Sequence, residues 1–524
     1  MKIPSIKFNM PRILELTAKY YKMSALLCGM LLAASLPPFY QLWAAFAAFG
    51  FVVFLCCRIE KLCSLAAIGY WFGFGYFSLG FYWIGNALLV DIERTGWLYP
   101  ITLILNGVFF GLFTIIPFML TKFSKSVILK ILLLASGWCL SEWFRGFFLT
   151  GFPWNPVSSV LAVSPNLLQT LAWWGTYGLS LVVVVIFAWP AVWLNKPNYK
   201  TFILMLLSPI ALAMLWEYGA FVISHRPHIN HGKAIMVRLV QPSIPQSLKW
   251  DANALEQNIK EYVELSHGHD SNHIDFTLWG ETAVPYDLTY DIDQLRKIRS
   301  SAPRYGYLIS GFVRYEPDGN RYKPFNSFGV INRKGNLEAI YDKSHLVPFG
   351  EYIPLREYLP EWIKPVANTI SEFGRGIKFE TIKVGNYPEF APLICYEIIF
   401  SDEIVRKDNK PKWAIVLTND GWYGVSSGPY QHLVAAQMRA VEEGISIVRS
   451  ANSGISAVIN PYGEVTAQIP LGERGYKDTM VKPDEARKTI FGFCGNYIPL
   501  TMSYLILLFA FVLSRIGKVT RRNS

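Results

Sequence analysis

The sequence predicts two parts, a polytopic α-helical membrane domain of eight spans and an α/β domain inserted before the last span. Three observations carry that reading. Charged residues make up 17% of the 524 and apolar types 52%, where soluble domains carry roughly 25% charge. The shortage is local: residues 225–488 hold 31 Lys+Arg and 32 Asp+Glu, about 24% of positions, while the remainder of the chain falls to about 9%. Within 225–488, apolar runs of strand length alternate with helical patterns. A purely soluble protein is excluded.

Charge-free stretches cover 23–57, 62–84, 97–120, 167–194 and 497–514, and 201–224 carries only Glu217. A spanning helix needs about 20 apolar residues, so these read as spans. The run 23–57 is too long for one crossing and is broken by Pro37-Pro38, which predicts two helices joined by a tight turn. Residues 126–149 are interrupted by Lys130, Glu142 and Arg145 and are read as a further span. Seven spans then precede the α/β domain and one follows it. The chain divides into a membrane region at 1–224, a domain at 225–488, and a last span with a basic tail at 489–524.

Basic residues sort by side. The N-terminal arm (Lys2, Lys7, Arg12, Lys19, Lys22), alternate loops (Arg58, Lys61, Lys122, Lys125, Lys130, Lys196, Lys200) and the tail (Arg515, Lys518, Arg521, Arg522) face only Arg94 and Arg145 in the opposing short loops. By the positive-inside rule both termini are cytoplasmic and residues 225–488 lie outside the cytoplasm. The net charge of +11 therefore reports topology, and nucleic acid is not an expected partner. Ala33-Ala34-Ser35 imitates a cleavage site, but the apolar chain continues past it. Of seven cysteines, only Cys395 and Cys494 fall on the outer side, so no disulfide framework is expected. His225, His228 and His231 read as linker, and no metal or cofactor is expected.

In the α/β domain, strands are expected at 233–241, 274–280, 306–312, 326–332, 391–395, 413–418, 446–451 and 455–459. Helices are expected at 251–266, 291–303 and 429–443. Gly335 and Gly463 mark hairpin-like turns, which makes the sheet mixed.

Three segments of this domain carry chemistry. Ala391-Pro392-Leu393-Ile394-Cys395-Tyr396-Glu397 is a buried strand ending on a thiol and passing into a helix-like segment, whose N-terminal amides would favour a thiolate. A free cysteine is also commonly a core residue, so nucleophile and core both remain open here. Phe276-Thr277-Leu278-Trp279-Gly280-Glu281 is a strand ending on a carboxylate. If the two strands are parallel neighbours, Glu281 emerges beside Cys395 as a general base; a helix cap or surface acid is the plainer reading. Tyr341 through Tyr352 concentrates Lys343, His345 and Glu351 in a Pro/Gly-containing loop. Its lysine would stabilise an acyl-transfer oxyanion, or simply pair with glutamate in solvent.

Taken in order, Glu281, Lys343 and Cys395 resemble the Glu-Lys-Cys triad of the nitrilase superfamily. With spans on both flanks, the chain resembles its membrane-bound members, the apolipoprotein N-acyltransferase family. Further similar segments are Gly151-Phe152-Pro153-Trp154, Val240-Gln241 through Lys249-Trp250, Asn419 through Gly424, Gln431-His432, Met438-Arg439-Ala440 and Arg449 through Gly454. The chain departs from the family at Gly280, where proline is usual, at Pro242-Ser243 for Gly-Asn, and at Tyr423 for phenylalanine. Glycine before Glu281 is expected to loosen the backbone there.

The resemblance implies a nitrilase-like αββα sandwich and a phospholipid acyl donor. The implied acceptor is the α-amine of the S-diacylglyceryl cysteine of a diacylated apolipoprotein, reached through a Cys395 thioester. It implies a bacterial inner-membrane enzyme, multi-pass, with its catalytic domain in the periplasm and membrane lipid as surroundings. Glu351, Glu397, Tyr396 and Trp250 match positions important in the family and are assigned supporting or substrate-contacting roles. The alternative is a membrane-anchored nitrilase-type amidase.

Overall fold

The computed structural model describes residues 18–227, 234–268, 273–360, 365 and 372–522. Lys2, Lys7, Arg12, His228 and His231 lie outside them. The chain divides into two compact units. One comprises Met1–Gly85, Trp97–His225 and Cys494–Ser524; the other comprises Asn86–Gly96 and Arg226–Phe493.

Apolar helices build the first unit. Among the described residues, five stretches are long and apolar enough to cross a membrane: Leu62–Gly80, Ile92–Phe123, Val127–Arg145, Leu171–Ala188 and Tyr199–Ser224. Tyr21–Ala33, Leu42–Arg58 and Tyr497–Leu513 are shorter apolar helices. Pro37 and Pro38 occupy the turn between the first two of these. Helices Tyr21–Ala33 and Leu62–Gly80 touch backbone to backbone: a Cβ on Gly29 would stand 1.9 Å from Phe72 O, and one on Gly75 2.3 Å from Leu26 O. Small residues at such crossings let helices approach where lipid supplies no hydrophobic drive.

The charges that interrupt 126–149 are buried and partnered inside this unit. Glu142 accepts from Trp138 Nε1 at 2.8 Å and Val157 N at 2.7 Å. Arg145 donates to the carbonyls of Phe152 at 2.6 Å and Trp154 at 2.7 Å. They staple residues 152–157 to the helix. The third charge, Lys130, is buried and donates to Thr121 O at 2.9 Å, so Val127–Arg145 stays apolar enough to span while its charges are partnered inside the protein.

The second unit is a four-layer sandwich. Eleven strands run in chain order: β1 Ile235–Gln241, β2 Phe276–Leu278, β3 Tyr307–Asp318, β4 Arg321–Asn332, β5 Leu337–Asp342, β6 Phe390–Ile394, β7 Trp413–Thr418, β8 Ser446–Ala451, β9 Ser456–Ile459, β10 Val465–Ile469 and β11 Gly475–Val481. They form a six-stranded sheet, β11-β1-β2-β3-β4-β5, and a five-stranded sheet, β10-β9-β8-β7-β6. Both are mixed: β1-β2-β3 and β6-β7-β8 run parallel, and the remaining neighbours antiparallel. Their inner faces share one core, with Val237, Phe276, Leu278 and Phe328 from the first sheet against Phe390, Trp413, Ile415 and Val448 from the second. Helices Leu255–Ser266 and Ile292–Ile298 cover the first sheet through Ile259, Tyr262 and Ile298, and Gly428–Glu443 covers the second.

One expectation is corrected here. The strands that carry Glu281 and Cys395 are not neighbours in one sheet; they lie in facing sheets, each in the parallel part. The two sheets are those of the αββα sandwich that the resemblance implies; the strand pattern taken alone reads as one mixed sheet. Strands β5, β10 and β11 were not expected, because each alternates exposed polar residues at a sheet edge.

Candidate active site

The apolar run of β6 ends at Ile394, and Cys395 takes a left-handed backbone, φ 51°. Such a conformation costs a non-glycine residue about 1–2 kcal/mol, so neighbours must hold it. Glu397 accepts from Ile394 N at 2.7 Å. On the other side, His432 Nε2 lies 3.1 Å from Cys395 O, and its Nδ1 lies 2.8 Å from Asp420 Oδ1. Arg449 pairs with the second oxygen of Asp420.

Among the described residues, Cys395, Asp420 and His432 form a group whose ligand atoms lie within 4.8 Å of one another, close enough to hold a metal ion. The guanidinium of Arg449 already supplies a cation to that carboxylate and stands 3.1 Å from His432 Nδ1. The donor set is therefore a poor fit to a second cation.

Glu281 comes from the facing sheet. It follows β2 by three residues, and its N–H donates across the sandwich to Thr418 O at the end of β7, 3.2 Å. That bond brings the carboxylate to the carboxyl end of the cysteine's sheet. Gly280 is tight and not loose, because a Cβ there would stand 2.4 Å from Asn452 N.

Lys343 directly follows β5, and its N–H bonds Asn326 O at 2.9 Å. Its Nζ lies 3.2 Å from Glu281 Oε1 and 3.0 Å from Glu351 Oε1. Asn326 Nδ2 bridges the same two oxygens at 2.8 and 3.0 Å. Two carboxylates, one ammonium and one amide thus close a square of hydrogen bonds, all buried. Asn326 was not singled out from sequence. The available signal was a polar residue amid the buried apolar stretch of β4.

Electrostatics fix the resting protonation. Burial alone would raise Glu281, but Lys343, then Lys249, and hydrogen bonds from Asn326 and Cys395 outweigh it and hold the carboxyl below its usual value. Burial opposes charge on Lys343 too, yet Glu281 and Glu351 keep its ammonium well above the ordinary lysine range. Burial and the Glu281 charge push the Cys395 thiol up to about 12, against the pull of Lys343. The resting pair is carboxylate and thiol. The thiolate expected from a helix terminus is overturned: Cys395 opens only a single short 3₁₀ turn, and desolvation dominates.

The other sequence candidates occupy distinct positions. Glu397 accepts from Tyr341 Oη, Ser344 N and Oγ, and His345 N, so it ties the lysine loop to the cysteine strand. Tyr396 is buried, its ring edge-on to Phe400 at 5.2 Å. Trp250 is 42% exposed and no core residue. Lys249, beside it, is buried and donates to Glu281 O at 2.7 Å. Asn86, from the segment Asn86–Gly96, donates to Tyr423 O at 2.6 Å and steadies the loop that carries Asp420.

A sandwich of two mixed sheets with a carboxylate, an ammonium and a thiol gathered at one end defines a nitrilase-like domain. The carbon-nitrogen hydrolase family model matches residues 236–491, and the apolipoprotein N-acyltransferase N-terminal domain matches 28–189. An apolipoprotein N-acyltransferase of Rhodopseudomonas palustris is 35% identical, covering 94% of this chain and 95% of its own. One of Brucella suis is 35% identical, covering 96% and 97%. A crystal structure of a carbon-nitrogen hydrolase from Helicobacter pylori is 15% identical, with a TM-score of 0.34 over 48% of this chain and 91% of that one. The chain belongs to the apolipoprotein N-acyltransferase family.

Proposed function

We propose that this enzyme moves an acyl chain from a phospholipid to the α-amine of an S-diacylglyceryl cysteine at the N-terminus of an apolipoprotein, through a Cys395 thioester. The observation that carries the reading is the buried cluster of Glu281, Lys343, Glu351 and Cys395 in a chain whose other unit is built of apolar helices. In the first half-reaction the sulfur attacks the ester carbonyl while Glu281 takes the thiol proton. Once protonated, Glu281 loosens its hold on Lys343, whose N–H is then released toward the oxyanion. Glu281 returns the proton to the departing glycerol oxygen, and lysophospholipid leaves. The acceptor amine next attacks the thioester, Glu281 accepts its proton, and the thiol is restored. Glu351 and Asn326 position Lys343 and Glu281, Glu397 and Tyr396 support the two loops, and Trp250 contacts substrate.

The apolar helices answer a physical demand. Drawing a ~16-carbon chain fully into water costs on the order of 12 kcal/mol at about 0.8 kcal/mol per methylene. Chemistry on such a chain belongs at a bilayer surface. We place the enzyme in the bacterial inner membrane with eight spans, both termini cytoplasmic and the catalytic domain periplasmic, on the charge asymmetry of the short loops. A location reporter fused at residue 198 should be active in the cytoplasm and silent in the periplasm; the opposite result removes the eight-span arrangement.

The reaction is tested by supplying phospholipid without acceptor. Acyl should accumulate on Cys395 as a hydroxylamine-sensitive thioester, and a diacylglyceryl-cysteine peptide should discharge it as an amide. The acceptor's own chains bring its amine to the membrane and raise its local concentration, so the same peptide without lipid should react at least about tenfold more slowly. Free fatty acid as the main product would instead favour a membrane-anchored amidase.

A further inference from the structure

We propose that Lys249 is a second cation of the catalytic centre, a positioning residue that holds Glu281 by its backbone and keeps the buried carboxylate–thiol pair electrically balanced. The inference rests on the assignment of Cys395 and Glu281 made above.

Lys249 ends the short helix Gln246–Lys249 and is buried. A buried ammonium normally finds a carboxylate. This one makes no ion pair among the described residues. Its Nζ donates to a single neutral acceptor, the Glu281 carbonyl, at 2.7 Å. The charges it feels are those of Glu281 and Cys395, which resist the pull of burial that brings the ammonium down to about 8. A group with three donors and one acceptor in so dry a place needs a reason beyond the helix it ends.

Counting charge supplies that reason. Glu281, Glu351 and Lys343 share one square of hydrogen bonds and together leave one negative charge unbalanced. Asp420 has its own partners in Arg449 and His432, and Glu397 is held by hydroxyl and backbone donors. Lys249 supplies the missing positive charge. The cluster is then neutral at rest, and it stays neutral when the proton passes from Cys395 to Glu281. Without Lys249 the cluster would carry one unbalanced negative charge both before and after the proton moves, and the thiolate would form with no cation of its own. The groups facing Cys395 are Glu281, Lys343, Lys249, Asp420 and Tyr423, with His432 on its carbonyl. Besides a hydrogen bond from Thr418, only the two cations Lys343 and Lys249 favour the thiolate, and Lys343 is already shared between two carboxylates.

The test measures the reaction of Cys395 with iodoacetamide across pH in the detergent-solubilised full chain, read by mass spectrometry of the Cys395 peptide so that the other cysteines do not count. Cys395 is one of the two charges that act on Lys249, whose Nζ bonds the Glu281 backbone at 2.7 Å, and a nearby opposite charge is worth about one or more pKa units. Lys249→Met should therefore slow labelling about tenfold at neutral pH, a gap that closes as the parent's own ammonium loses its proton above about pH 8. Lys249→Gln keeps a donor for the Glu281 carbonyl but loses the charge, and should behave like Lys249→Met. Lys249→Arg, which keeps the charge, should stay near the parent. The melting temperature of each variant checks that it is folded. Profiles that superimpose on the parent for both Met and Gln overturn the proposal, as does a parental profile for Gln alone, which would leave only the hydrogen bond. Parental acyl-enzyme formation in Cys395→Ala would instead sink the underlying assignment, whatever Lys249 does.

Discussion

Cys395→Ala should form no acyl-enzyme and transfer no acyl chain, and Glu281→Gln should slow acyl-enzyme formation by about three orders of magnitude, as expected for loss of a general base. The two variants fail for different reasons. Alanine removes the only sulfur in the cluster, whereas glutamine keeps the shape of the side chain and loses the proton acceptor. The Glu281 charge also raises the thiol above its ordinary value. In Glu281→Gln the thiol should therefore ionise more easily and label faster with a small alkylating agent, even while acyl transfer collapses. A merely structural glutamate would depress both together. The parent's acid limb follows from the same electrostatics: as the proposed general base Glu281 would work only when ionised, and its carboxyl is held below the ordinary glutamate value. Acyl-enzyme formation should therefore survive to a pH at which ordinary carboxylates are half protonated. An acid limb near neutrality would contradict Glu281 as the base.

The groups of the proposed site stand out in the sequence where an apolar strand ends on one of them. Ile394 into Cys395 and Leu278 toward Glu281 are apolar runs that stop at a candidate side chain, whereas Lys343 stands out by the crowding of ionisable residues in its loop. The way these ends meet was not legible. Parallel strands in one sheet and parallel strands in facing sheets read alike, and the deciding contact is the long-range bond from Glu281 N to Thr418 O. Local pattern contains no information about it. The edge strands were lost for a related reason: Leu337–Asp342 and Gly475–Val481 pair on one side only and alternate with exposed polar residues, so their runs look like loop. The protonation state is not legible in the sequence, because a helix terminus can be read there and burial cannot. The same holds for Asn326 and Lys249, one polar residue in a buried strand and one at the end of a helical turn. Each becomes informative only when its partner, drawn from another part of the chain, is known.

Glu397→Ala should cost both stability and at least about two orders of magnitude in acyl-enzyme formation, because one carboxylate joins the two halves of the site. Its Oε1 accepts from Tyr341 Oη at 2.6 Å, Ser344 N at 2.8 Å, Ser344 Oγ at 2.7 Å and His345 N at 3.2 Å; its Oε2 accepts from Ile394 N at 2.7 Å. Alanine would leave these donors buried without acceptors, at about 1–3 kcal/mol for each that water does not reach. The lysine loop and the strained Cys395 backbone would lose their common anchor. Since misplacement by about 1 Å can cost about a hundredfold, the chemical loss should exceed what unfolding alone explains. Glu397→Gln separates the two arms. An amide presents one oxygen and one NH₂; with the oxygen toward the lysine loop, its N–H groups oppose the Ile394 N–H, so the loop stays held while the cysteine strand is released. That variant should melt closer to the parent than Glu397→Ala yet acylate poorly, and lysine-loop protection in hydrogen exchange should persist while Ile394 and Cys395 exchange faster. Equal acylation rates in the parent and both variants would show that the strained cysteine needs no such tie. A loss in Glu397→Gln confined to the melting temperature would reduce Glu397 to a structural brace.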